Sequence, residues 1–123
     1  MTQDFRPIVY LMAACPHCFK LRLFLLEGGL IDQVELRQFE NGTPEEDVIR
    51  AELAPHFDKT TFPAAQIAPG EYLKESDALI DWFAERHGLD PARMATYQTY
   101  LNGPYRQILR LFGENRELRA AQR

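Results

Sequence analysis

The 123 residues include only two cysteines, three histidines and one tryptophan. Two thiols are too few for a disulfide-stapled scaffold, and in a reducing compartment Cys15 and Cys18 are expected to stay free. A structural zinc ion wants four ligands. His56 and His87, the other soft candidates, lack the paired spacing of a second half-site, so no metal is expected. Long apolar runs are missing as well. Nothing approaches the roughly 20 residues of a membrane span, and no membrane partner is expected. Asp4 and Arg6 precede a short apolar run without a signal-peptide layout, which makes a cytoplasmic location the expectation. Basic charge is also scarce, with 14 Lys and Arg against 18 Asp and Glu, a net charge of -4. That is the wrong sign for holding phosphate backbones, so nucleic acid is not an expected partner.

The apolar share of 46% and charged share of 26% are those of a globular chain. A chain of this length buries about two-thirds of its surface, enough for one core. No repeat or long linker interrupts it. The charge is uneven: residues 1–89 hold eight basic and fifteen acidic side chains, residues 90–123 six and three. This break near Gly88 suggests a folded unit over 1–89 and a short helical extension over 90–123.

Residues 7–12 form a β-prone run, and the segment after it reads as a helix opened by Pro16 and closed by Gly28 and Gly29. Val34, Leu36 and Phe39 suggest a second strand. Thr43, Pro44 and Glu46 supply an N-cap, an N1 proline and a capping-box glutamate for a helix that buries Ile49 and Leu53 and stops near Pro55. Residues 62–68 and 71–74 read as a hairpin about Pro69-Gly70. Ser76 is placed to cap a third helix carrying Leu79, Ile80 and Phe83, with Gly88 as its left-handed stop. The order is βαβαββα. Met94, Tyr97 and Leu101 suggest one further helix, and Tyr105, Ile108, Leu109 and Phe112 another, with the last ten residues expected to fray and Met94, Leu101, Ile108 and Phe112 expected to pack on residues 1–89 or on a second subunit.

Cys15-Pro16-His17-Cys18 lies between a strand and a helix, the context in which this spacing points to redox chemistry. Cys15 faces the unpaired amides and positive dipole end of the helix, which favour thiolate and make it the expected nucleophile. Cys18, one turn further in, is the expected resolving thiol. His17 is either a positive neighbour of that thiolate or an indifferent exposed side chain.

With Thr61-Phe62-Pro63-Ala64 and Glu75-Ser76-Asp77-Ala78-Leu79, the Cys15-Cys18 motif resembles the thioredoxin-fold superfamily, specifically the glutathione S-transferase N-terminal domain and the glutaredoxins, over about residues 7–88. The resemblance implies an α/β fold with a four-stranded mixed sheet, the helical extension following it. It also implies a cis Pro63 beside the cysteines, a Phe62 backbone that pairs with glutathione, and Glu75 and Ser76 holding the γ-glutamyl end. Lys59 or Arg37 is a candidate to hold the glycine carboxylate, with solvated surface the preferred reading for each. The function it implies is a glutathione-dependent thiol-disulfide oxidoreductase acting through Cys15 on disulfides or glutathione mixed disulfides, with glutathione as co-substrate. Two other readings stand beside it: a transferase-like protein with a reduced second domain, and a non-catalytic glutathione- or protein-binding module. A homodimer is possible in each.

Overall fold

The computed structural model describes residues 5–122. Ile8–Met12 (β1) leads into Pro16–Glu27 (α1), Glu35–Phe39 (β2), Pro44–Leu53 (α2), Ala64–Ala68 (β3), Glu71–Lys74 (β4) and Ser76–His87 (α3). Then come Ala95–Asn102 (α4) and Pro104–Ala121 (α5). The sheet order is β2-β1-β3-β4, with β1 parallel to β2, and β3 antiparallel to both β1 and β4. This is a thioredoxin-like mixed sheet followed by a helical extension.

Strand β1 is the centre of the molecule. Val9, Tyr10 and Leu11 are buried on consecutive positions, which requires cover on both faces of the sheet. Helix α1 supplies Leu21, Phe24 and Leu25, α3 supplies Leu79, Ile80 and Phe83, and α2 supplies Ile49 and Leu53. Tyr10 crosses to α2, where its hydroxyl donates to Glu52 at 2.6 Å. Arg37 bridges Glu45 and Glu52 beside the Tyr10 ring, so it belongs to an ion-paired cluster rather than to free solvated surface. Met94 and Tyr97 enter the same buried cluster as β1 and α1.

Three local expectations need correcting. Thr43 caps α2 only by position: its hydroxyl donates to the Glu40 carbonyl, while the Glu46 carboxylate takes the Gly42 amide. The turn before the helix therefore uses the polar groups that a capping box would exchange. Ser76 is the first residue of α3 rather than its cap, and Glu75, at a φ of 79°, holds the cap position without a side-chain bond. The last turns do not fray, because α5 runs to Ala121. Past its first turn, however, that helix leaves the core: Ile108 is half-buried and Phe112 is exposed, so only the Met94 and Leu101 part of the expected packing joins the core of the chain.

The start of α4 has no cap of its own. Glu27, at the end of α1, accepts from the amides of Thr96 and Tyr97 at 3.0 and 2.7 Å, satisfying two orphan donors from another helix. Because a side-chain cap contributes about 1 kcal/mol, Glu27→Ala should lower the melting temperature by about 3–6 °C. Thermal unfolding followed by circular dichroism checks this, and an unchanged midpoint would show that the contact carries no stability.

Candidate active site

The end of β1 and the start of α1 are joined by so short a turn that Cys15 becomes the N-cap of α1 in extended conformation, with Pro16 at the first helical position. Proline costs nothing there, since that amide has no helical partner. The Cys15 sulfur accepts from the Cys18 amide at 3.3 Å. A serine or aspartate oxygen commonly fills this capping role. Here a thiol does, and the anionic form accepts better than the neutral one.

The two sulfurs differ sharply. Hydrogen bonding from the Cys18 thiol lowers the Cys15 pKa from 9.0 to about 6, helped by the backbone amides of Cys18 and His17 and opposed by partial burial. Cys18 moves the other way: its bond to Cys15 and its burial push its pKa far up, although its sulfur also accepts from the Met12 amide at 3.3 Å. Cys15 is half-buried and Cys18 is buried. One thiolate is thus presented, and one protonated thiol is kept behind it.

His17 is not a cation beside that thiolate. Burial and the nearby Lys20 lower its pKa, so at neutral pH the ring is uncharged. Its Nδ1 lies 2.9 Å from the Tyr105 hydroxyl of α5. Lys20 Nζ donates to that hydroxyl at 3.3 Å, which leaves the phenolic proton to bond a neutral Nδ1. Lys20 itself is only 4% exposed and reaches Asp77 on α3 at 2.7 Å. Tyr100 of α4 donates to the Pro16 carbonyl at 3.0 Å.

Lys20 is not singled out by the sequence, and Asp77 and Tyr105 enter that reading only as a motif residue and a helix residue, not as its partners. A usable signal for Lys20 existed: it follows His17 by three residues and precedes Phe24 by four, on the buried face of an otherwise apolar helix. A lysine at such a position must find partners. Which partners it finds depends on α3 and α5, and local sequence carries no trace of that.

The second wall of the site comes from the β3 end of the hairpin. The Phe62-Pro63 peptide is cis, and the Cys15 thiol lies 4.0 Å from the Phe62 carbonyl. The Phe62 ring is buried edge-on against Phe39, beneath the guanidinium of Arg50. Glu75 is exposed, with its carboxylate accepting from the Thr61 hydroxyl at 3.1 Å, and Ser76 is buried at the start of α3. The Glu75 amide donates to the Pro63 carbonyl, tying the two segments together. Lys59 offers its carbonyl to Lys74 Nζ. A surface hollow of about 880 Å³ lies at the opposite end of the sheet beside Pro7, Val34 and Pro69, away from both thiols.

Residues 9–91 match the family model described as glutathione S-transferase, N-terminal domain. Among solved structures, the chain is similar to the crystal structure of glutathione transferase Omega 2C from Trametes versicolor, at 20% identity and a TM-score of 0.49. That similarity covers 81% of this chain and 48% of the other, so the chain spans about half the length of that protein. No curated protein matches.

The asymmetry of the two thiols has a direct readout. Iodoacetamide should alkylate Cys15 with a rate that rises to a plateau through a midpoint near pH 6. In Cys18→Ala the thiol donor is gone, and that midpoint should move up toward 9.0. Equal midpoints in the two proteins would remove Cys18 as the cause of the shift.

Proposed function

The chain belongs to the glutathione S-transferase N-terminal domain family, and from that premise we propose that it is a glutathione-linked thiol-disulfide oxidoreductase in which Cys15 is the nucleophile. The observation that carries this reading is geometric: Cys15 caps α1 with its sulfur accepting from the Cys18 amide at 3.3 Å, and the buried Cys18 thiol lies one turn behind it. A transferase that only activates glutathione has no use for a second thiol behind the first. A pair poised as donor and acceptor suits exchange.

In the first step the Cys15 thiolate attacks the glutathione sulfur of a mixed disulfide. That S–S bond breaks, its electron pair leaves with the substrate thiolate, and Cys15 becomes joined to glutathione. Two outcomes follow. Cys18, having lost its proton to solvent, attacks the Cys15 sulfur and expels glutathione as thiolate, leaving a Cys15-Cys18 disulfide. Alternatively, a second glutathione thiolate attacks the bound glutathione sulfur, which yields glutathione disulfide and restores the Cys15 thiolate. Each exchange moves two electrons, and each requires the attacking sulfur as an anion. Cys15 supplies one at neutral pH, whereas Cys18 does so only after its hydrogen bond to Cys15 is lost on formation of the mixed disulfide.

Glutathione would lie along Phe62 and Pro63, with its γ-glutamyl end at Glu75 and Ser76. Two features support this. Among the amides at the α3 start, none is capped by a side chain, so they suit a carboxylate. The exposed Glu75 carboxylate, fixed by Thr61, suits an ammonium group. Residues 1–89 would form the catalytic unit and residues 90–123 an extension that covers one side of it.

Turnover of a glutathione mixed disulfide by three proteins tests the reading. Wild type should be active, Cys15→Ser inactive, and Cys18→Ser active only through the route that uses a second glutathione. Activity in Cys15→Ser would overturn the assignment. By calorimetry, Glu75→Gln should weaken glutathione binding about tenfold or more while leaving Cys15 alkylation unchanged, as expected for loss of a charge-assisted hydrogen bond. Undiminished binding would remove Glu75 from the site.

A further inference from the structure

On α5, Tyr105, Leu109, Phe112, Arg116 and Arg119 recur at intervals of four, three, four and three residues, which places them on one stripe of the helix. The first of them bonds His17, two residues from Cys15. The next four, with His17 and Asn115, line an open cavity of about 650 Å³. This stripe therefore starts beside His17, two residues along the chain from Cys15, and runs on along the helix from there.

Its chemistry changes with distance. Near His17 it is apolar, with Leu109 36% and Phe112 50% exposed, and further out it is cationic, at Arg116 and Arg119. The acidic residues of α5 lie off the stripe: Glu114 pairs with Arg110 on the far side of the helix, and Glu117 does not line the cavity. Among the described residues neither Arg116 nor Arg119 makes an ion pair. Two arginines held clear of neighbouring carboxylates, in a chain of net charge -4, mark a place where negative charge is received.

Length and openness select the kind of ligand. From Leu109 to Arg119 the stripe is about 15 Å long, the span of four or five extended residues. A small organic anion sits in an enclosed pocket that covers most of its surface, whereas this is a half-exposed helix face. We propose that the stripe is a docking track for the substrate polypeptide: a segment with an apolar residue beside its disulfide-bonded cysteine and carboxylates two to four residues further on. The inference rests on the reading of Cys15 as nucleophile, and it adds the substrate class. The apolar residue would lie on Leu109 and Phe112, and the carboxylates on Arg116 and Arg119.

Three synthetic peptides test it, each with a glutathionylated cysteine followed by leucine and then by two glutamates, two glutamines or two lysines. Binding to Cys15→Ser protein, read by fluorescence anisotropy, should favour the glutamate peptide over the glutamine peptide by roughly fivefold, the effect of two exposed ion pairs. The preference should shrink in high salt. It should vanish in the Arg116→Gln/Arg119→Gln protein, whose exposed substitutions leave the fold intact, and Phe112→Ser should weaken all three peptides alike. Equal binding of the three peptides, or a preference that survives removal of both arginines, would overturn the track. So would a concentration-dependent dimer, seen by sedimentation, that the double variant abolishes and that excludes the peptides. Because binding is measured on a protein that cannot turn over, absence of turnover in wild type would count against the redox reading and leave this result standing on its own.

Discussion

Everything at the candidate active site depends on how the first turn of α1 disposes of its unpaired amides. A helix start leaves donors without intrahelical acceptors. Here the acceptor is a sulfur, Cys15 Sγ, fixed by the Cys18 amide at 3.3 Å. The same geometry that completes the helix also stabilises the thiolate, so folding and activation draw on one interaction. It is reinforced from behind, because Cys18 is buried on the face of α1 that carries Leu21 and Leu25 into the core. Rotation of α1 about its axis would uncouple the two sulfurs and unpack the centre of the molecule together.

The other helices read as devices that keep α1 from making that rotation. Tyr100 bonds the Pro16 carbonyl, Glu27 caps α4, and Lys20 is held between Asp77 and Tyr105. A buried ammonium is a weak source of net stability, since its desolvation offsets the pairing energy. Its value lies in geometry. An almost fully buried Lys20 with two partners on two different elements admits few arrangements of α1, α3 and α5. One consequence is that His17 faces Tyr105 as a neutral ring and contributes its backbone amide to Cys15 rather than a positive charge.

Most of the architecture was legible from local pattern. The strand-turn-helix around Cys15, the break at Pro55, the hairpin at Pro69-Gly70 and the left-handed stop at Gly88 are each decided by residues within a few positions of one another. Sequence reasoning reached them for that reason. It misjudged the caps of α2 and α3, where several acceptors compete within one turn: Glu46 chose the Gly42 amide and Thr43 the Glu40 carbonyl. It also misjudged the end of α5, whose mixed apolar and charged residues look unable to bury anything but still hold a helix to Ala121.

What the sequence by itself determined was the presence of a thiol at a helix start with a second thiol one turn inside, because that juxtaposition is set by a spacing of three and the pitch of a helix. What only the tertiary structure decided was which groups from distant segments meet that pair. Phe62 lies 47 residues from Cys15, Asp77 lies 57 from Lys20, and Tyr105 lies 88 from His17. Those contacts are fixed by the order of strands in the sheet and by the packing of α4 and α5 on α1, and no local preference encodes either. The neutrality of His17 and the partners of Lys20 could be known only once the chain had closed on itself.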